Sequence, residues 1–273
     1  TEIYTLSLHD ALPICESWLD RPLSSILPRL NIRTGIILLI MVLAVVSRFA
    51  ILGERTMSHD EVNHVVPSFD LSQGRGYRQD PVTHGPLQFH LIALTYYLFG
   101  DSDFTSRVPA ALFSVAAIAF VIVGFKRYLG NTGSLIAGIL FLISPYMTFY
   151  GRYVRNEGLI ELFGVVLLYG ILRYLEKGDK LSLFLVTGAT VLHFTAKETA
   201  FIYTAELLLF AGILFLDNIV RMSWPDRHRK NTFITFVLAA LVCLVAALGF
   251  AVANAGNPVA AAPAVEAAKP AFN

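Results

Sequence analysis

Long apolar runs, each bounded by charge, glycine or proline, constrain this chain more than any other feature. Seven recur, at roughly 35–52, 104–125, 132–150, 158–174, 181–197, 199–217 and 232–253. A bilayer crossing needs about 20 predominantly apolar residues. Inside lipid every backbone N–H and C=O must be satisfied within the segment, so such runs must be helices. Charged residues make up 15% of the chain, against about a quarter in soluble domains. They are concentrated in the connections. The expected fold is an all-α polytopic membrane bundle of about seven spans. The stretch LQFHLIALTYYLF at 87–99 is apolar but short, which suits a helix lying at the membrane interface.

The two ends read differently. Residues 1–15 (TEIYTLSLHDALPI and Cys15) match the conceptual translation of a sequencing adapter and are set aside from fold reasoning. Residues 16–34 form a short segment before the first span. The Ala- and Pro-rich stretch 254–273 is a low-complexity tail. Cys15 and Cys243 should lie at different depths, so no disulfide is expected. A net charge of +1 gives no reason to expect a nucleic-acid partner.

Basic residues set the orientation. Arg21, Arg29, Arg33, Lys126, Arg127, Arg173, Lys177, Lys180, Arg221, Arg227, Arg229 and Lys230 fall in alternate connections, which places the N-terminus in the cytoplasm. The long connection 53–103 is then extracytoplasmic.

Threading the spans this way brings the unusual polar residues to one face. The first outer connection carries His59, Asp60, Glu61 and His64, then Asp70, Arg75, Arg78 and Asp80, then Thr83-His84-Gly85-Pro86 and His90. Taken alone, this is also what an ordinary solvated loop looks like. Between spans three and four lie Arg152, Arg155, Asn156 and Glu157. The two arginines share a face if the segment is helical, as do Glu157 and Glu161. Guanidinium forks suit phosphate oxygens, although interfacial arginines also snorkel to water with no ligand. Between spans five and six lie His193, Lys197 and Glu198. Glu206, inside span six, reads as a packing or pathway residue.

Together these groups suit a substrate with a membrane tail and a phosphate head. A carboxylate can take a proton from an acceptor hydroxyl, and arginines can stabilise charge developing on a leaving phosphate. No cofactor is required by the sequence. A divalent metal held by His59, His64 and His84 with a carboxylate is the one candidate.

The order of motifs carries a resemblance. Asp60-Glu61 follows the first span, then come HGPL at 84–87, LFGDSDFTSRVPAALF at 98–113, SPYMTFYGRYVRNE at 144–157 and TAKE at 195–198. Over residues 36–217 the chain resembles the GT-C superfamily of glycosyltransferases. Within it the resemblance is to the protein O-mannosyltransferase and aminoarabinose-transferase-like branch (families 39 and 83), and in particular to bacterial and archaeal members associated with lipid-flippase activity. The resemblance implies a GT-C-type bundle over 35–253 with a long first outer loop at 53–103. It also implies transfer, with inversion, of a sugar from a polyprenyl-phosphate donor to a lipid, glycan or protein hydroxyl outside the cell membrane. Asp60, with Glu61 beside it, would be catalytic, and His84, Arg152, Arg155, Glu157 and Lys197 would meet the lipid phosphate or sugar. The alternative is a non-enzymatic flippase or flippase helper for the same lipids. Two departures stand out. Gly85 replaces the first proline of the family's HPPL-like motif. Thr83-His84 replaces the Glu-Lys of the aminoarabinose branch, so metal or carboxylate recognition does not carry over from that branch. Family members continue with further spans and often an outer soluble domain, which marks this chain as an N-terminal fragment.

Overall fold

A computed structural model describes residues 31–77 and 84–255. The adapter-like residues, Cys15, Arg21, Arg29, Arg78, Asp80, Thr83 and the tail from 256 lie outside them. The described residues form ten helices: α1 (Ile32–Phe49), α2 (His59–Ser72), α3 (Leu87–Phe99), α4 (Asp103–Gly124), α5 (Lys126–Ile143), α6 (Pro145–Tyr150), α7 (Glu157–Lys177), α8 (Lys180–Ala196), α9 (Ala200–Arg221) and α10 (Arg227–Ala255). By length and composition α1, α4, α7, α9 and α10 can cross a membrane. The 18-residue α5 and the 17-residue α8 take the positions of the other two expected spans.

Local chemistry sets the boundaries. Asn31 accepts the amide of Thr34 to open α1, and Asp179 accepts that of Ser182 to open α8. Ser102 and Thr105 form a reciprocal cap on α4. Each cap satisfies an N–H that the helix itself leaves open. The expected third span, 132–150, is divided: α5 stops at Ile143, and Pro145 starts the separate α6, because proline cannot donate into a continuing helix. Among the described residues the long connection 53–103 is largely helical, because it holds α3 as well as α2, which the sequence reading did not expect. Ser58 and Glu61 make a capping box at its start, the Ser-x-x-Glu pattern that marks a helix N-terminus.

The chain divides into two compact units at Leu207/Leu208. In the first, α4 is the central helix and touches α1, α3, α5 and α7; α7 also packs on α8, and α2 on α3. Ile40 and Ala44 of α1 meet Ile118 and Ile122 of α4. Leu159 and Phe163 of α7 meet Ala196 of α8. At the crossing of α7 and α4, Gly158 lies so close to Ala110 that a Cβ would sit 3.2 Å from its Cα. Close approach through small residues is how helices gain packing energy in lipid, where hydrophobic exclusion does not help them. Arg48, fully buried near the end of α1, donates to the carbonyls of Phe141 and Leu142 at 3.1 and 2.8 Å. It thereby satisfies the open end of α5. The second unit holds the end of α9 and all of α10, where Phe233 packs against Phe215 and Trp224.

Candidate active site

Five elements meet at the polar end of the first unit: the start of α2, the turn 84–86 before α3, α4, the loop 151–156 and the α8–α9 junction. Its centre is Glu61, which is fully buried. Arg107 of α4, also fully buried, reaches it with Nε at 3.0 Å and Nη2 at 3.2 Å. Arg55 Nη2 adds a bond at 2.8 Å, and the amides of Ser58 and Val154 donate at 3.1 and 3.2 Å. Burial pulls the Glu61 carboxyl upward, but these donors, Arg107 first, outweigh it and hold the group below its ordinary value. A carboxylate with both oxygens engaged in this way is an anchor with no lone pair left to take a proton.

Asp60, its neighbour, is 57% exposed, and among the described residues its partner is Arg155, whose Nη1 lies 3.2 Å from Oδ2. Arg155 Nε lies 3.5 Å from Glu157 Oε2, and Lys197 Nζ lies 2.5 Å from Glu157 Oε1. Asp60, Arg155, Glu157 and Lys197 therefore form one line of alternating charge. Arg152 points elsewhere. The segment 151–156 is not helical, so the expected shared face with Arg155 does not form. Its two η nitrogens donate to Ser47 and Ala50 carbonyls at 2.6 and 2.8 Å, pinning the loop that carries Arg155 to the end of α1.

His84 Nδ1 pairs with Glu198 Oε2 at 2.6 Å from a backbone with φ of 71°, a region that costs a non-glycine residue about 1–3 kcal/mol. The Gly85 amide donates to the Ala196 carbonyl at 3.1 Å. Proline could not make this bond, which gives a physical reason for glycine where the family motif has proline. A Cβ on Gly85 would lie 2.2 Å from the Thr195 carbonyl oxygen. Because backbone cannot yield there, Gly85→Ala is expected to destabilise the protein by about 3 kcal/mol or more. Thermal unfolding in detergent should show the loss. Gly164→Ala, with open space around its Cβ, should not. Equal melting of the two variants would remove Gly85 from this role.

The three histidines do not form the metal set considered from the sequence. His59 is exposed and sits 3.5 Å from Asn63. His64 is buried with its ring 5.3 Å from that of Phe89. Among the described residues no group of three or more His, Cys, Asp or Glu side chains is placed to hold a metal ion. Burial above all, with the positive potential of His84 and Arg155 against that of Glu157 and Asp60, lowers His64 from 6.5 to about 4. The folded protein keeps this imidazole neutral where the unfolded chain would protonate it. Its contribution to stability is therefore complete above pH 6.5 and lost as pH falls from 6.5 towards 4. The loss reaches about 2 kcal/mol near pH 5. Melting temperature should fall between pH 7.5 and 5 and fall less in His64→Phe; equal slopes would refute the assignment.

Arg107 and Arg55 were missed from sequence. A signal for Arg107 existed, since an arginine inside an apolar run is expensive unless partnered. His193, by contrast, is buried, with Nε2 3.1 Å from Thr199 Oγ1 and its ring against Tyr203. Glu206 is exposed on α9.

A family profile described as dolichyl-phosphate-mannose-protein mannosyltransferase matches residues 83–252. The chain belongs to that family. Polyprenol-phosphate-mannose–protein mannosyltransferases of two Mycobacterium tuberculosis strains, CDC 1551 / Oshkosh and ATCC 25618 / H37Rv, are each 29% identical over 143 residues, covering 49% of this chain. The chain spans 27% of those relatives' length. The crystal structure of ArnT from Cupriavidus metallidurans in the apo state superposes with a TM-score of 0.57 at 16% identity, over 84% of this chain and 44% of that one. The likeness makes the fold GT-C type. For this family member, the motifs that carried the resemblance lie at the meeting of α2, α4, the 151–156 loop and the α8–α9 junction.

Proposed function

We propose that this chain is part of a membrane glycosyltransferase that moves a sugar from a polyprenyl-phosphate donor to an acceptor hydroxyl, with inversion, on the extracytoplasmic side of the cell membrane. The observation that carries this reading is the line Asp60–Arg155–Glu157–Lys197. It sets an exposed carboxylate beside two cations at one end of a bundle of apolar helices. Asp60 acts as general base on the acceptor hydroxyl, which attacks the anomeric carbon of the sugar. The bond from that carbon to the phosphate oxygen breaks, and the departing phosphate carries the negative charge. Arg155 and Lys197 stabilise it, with His84 beside them. Glu157 keeps both cations aimed, and Glu61 holds α2 so that Asp60 faces them. That the mycobacterial relatives are polyprenol-phosphate-mannose–protein mannosyltransferases supports a polyprenol-phosphate mannose donor and a protein acceptor.

The test is a transfer assay in membranes with the full-length native protein and radiolabelled polyprenyl-phosphate sugars, wild type beside Asp60→Asn. Transfer lost only in the variant is the expected result. Transfer that survives in Asp60→Asn removes Asp60 from the mechanism. No transfer by either protein, with the lipid still bound, favours a flippase-associated role.

A further inference from the structure

His193 is a buried imidazole that the transfer reading leaves without a role. It sits in the last turn of α8 and is 1% exposed. Its Nε2 lies 3.1 Å from Thr199 Oγ1, and its ring centroid lies 4.7 Å from that of Tyr203 in the first turn of α9. Nδ1 is buried and, among the described residues, has no partner. A proton there would be an orphaned donor, so the ring carries its proton on Nε2 and donates it to the Thr199 hydroxyl.

That bond closes the stretch 193–199, and the stretch carries much of the candidate site. The Ala196 carbonyl accepts the Gly85 amide at 3.1 Å. Lys197 Nζ lies 2.5 Å from Glu157 Oε1, and Glu198 Oε2 lies 2.6 Å from His84 Nδ1. The backbone changes course at the same place. The Lys197 amide still donates to the His193 carbonyl at 2.9 Å, but residue 197 itself is extended, with φ of −156° and ψ of 150°. The Thr199 carbonyl then accepts the amides of Ile202 and Tyr203 at 2.9 and 3.2 Å and opens α9. The His193–Thr199 bond therefore ties the end of one helix to the start of the next across the residue that breaks them. A lysine head group rides on a flexible four-carbon stem, so where its backbone leaves the helix decides what it can reach.

We propose that His193 is a positioning residue: through Thr199 it holds the α8–α9 junction in the shape that sets Lys197 against Glu157. The catalytic consequence rests on the transfer reading; the placement of Lys197 does not.

The experiment uses the full-length native protein and has two readouts. The first is transfer from a polyprenyl-phosphate sugar, with kcat and KM separated. The second is the rate at which acetic anhydride labels Lys197 in detergent, read by mass spectrometry against the exposed Lys180. Thr199→Val removes the bond from one side, and His193→Phe removes it from the other while keeping a ring against Tyr203. Thr199→Ser keeps the hydroxyl. Melting temperatures identify a variant that fails to fold, and the two routes to the same broken bond guard against losing one. Thr199→Val and His193→Phe should each lower kcat and kcat/KM together about tenfold or more, since small misplacements of a charge-stabilising group are costly. Each should also speed labelling of Lys197 at least about threefold, because a lysine loosened from its carboxylate reacts more freely. Thr199→Ser should behave like wild type. In a Lys197→Ala background Thr199→Val should cost far less than it does alone, because the two changes act through one group. An equal loss in both backgrounds overturns the proposal. So does a fall in melting temperature with kcat and Lys197 labelling unchanged, which would make the bond merely structural. Wild-type protein that transfers nothing, with Lys197 labelling still raised in both variants, would sink the transfer reading and leave the positioning role standing.

Discussion

Glu61→Ala should cost the protein several kcal/mol of stability, a large share of the roughly 5–15 kcal/mol that holds a typical domain together. The change removes one carboxylate but orphans many donors. Arg107, fully buried, would keep a charge with only the Leu52 carbonyl, 2.8 Å from Nη1, as partner. Breaking a buried pair from one side costs about 3–5 kcal/mol, because the remaining charge is uncompensated. The Val154 and Ser58 amides lose their acceptor as well, so α2 and the 151–156 loop come loose together. Melting in detergent should fall sharply. A cycle with Arg107→Leu should show strong coupling, the double variant losing less than the sum of the singles, since removing both partners leaves no buried charge. A Glu61→Ala protein that melts like wild type would mean that Glu61 is not the anchor.

Asp60→Asn should do the opposite, removing transfer and sparing the fold. The Asp60 carboxylate is 57% exposed and, among the described residues, pairs with Arg155 alone. Exposed pairs of this kind contribute about 0–1 kcal/mol, so melting should barely change. A general base contributes about 10²–10⁴ in rate, and asparagine, isosteric and unable to accept the proton, forfeits that factor. Transfer should drop by at least about a hundredfold while expression, insertion and melting hold. A rate within a few fold of wild type would show that the proton goes elsewhere. Two neighbouring acidic residues thus separate stability from chemistry, and the pair of variants measures both.

Much of the bundle was legible in the residues. The apolar runs fall on helices because burying a backbone in lipid allows nothing else, and the short stretch at 87–99 is α3. The third run misled, because Pro145 sits inside an apolar stretch that hydropathy alone reads as continuous. Helix α2 was also signalled: Ser58 and Glu61 stand three apart, and the capping box follows from that spacing. It passed unread because the segment is rich in His, Asp and Asn and lacks a strong apolar stripe.

The clustering of Asp60, His84, Arg155, Glu157 and Lys197 at one end of the bundle follows from the order of spans along the chain. The division of labour among them does not. Successive residues on a helix point about 100° apart, so whichever of Asp60 and Glu61 faced α4 would meet Arg107 and be consumed as an anchor. Only the packing of α2 against its neighbours decided that it was Glu61 and left Asp60 in the open. Arg152 and Arg155, three apart, were likewise separated by a loop that is not helical, sending one to the end of α1 and the other to the carboxylates. Sequence determines which groups a membrane fold brings to one face, because span length and charge set depth; which of them remain free to react depends on side-chain direction, and that exists only once the helices have packed.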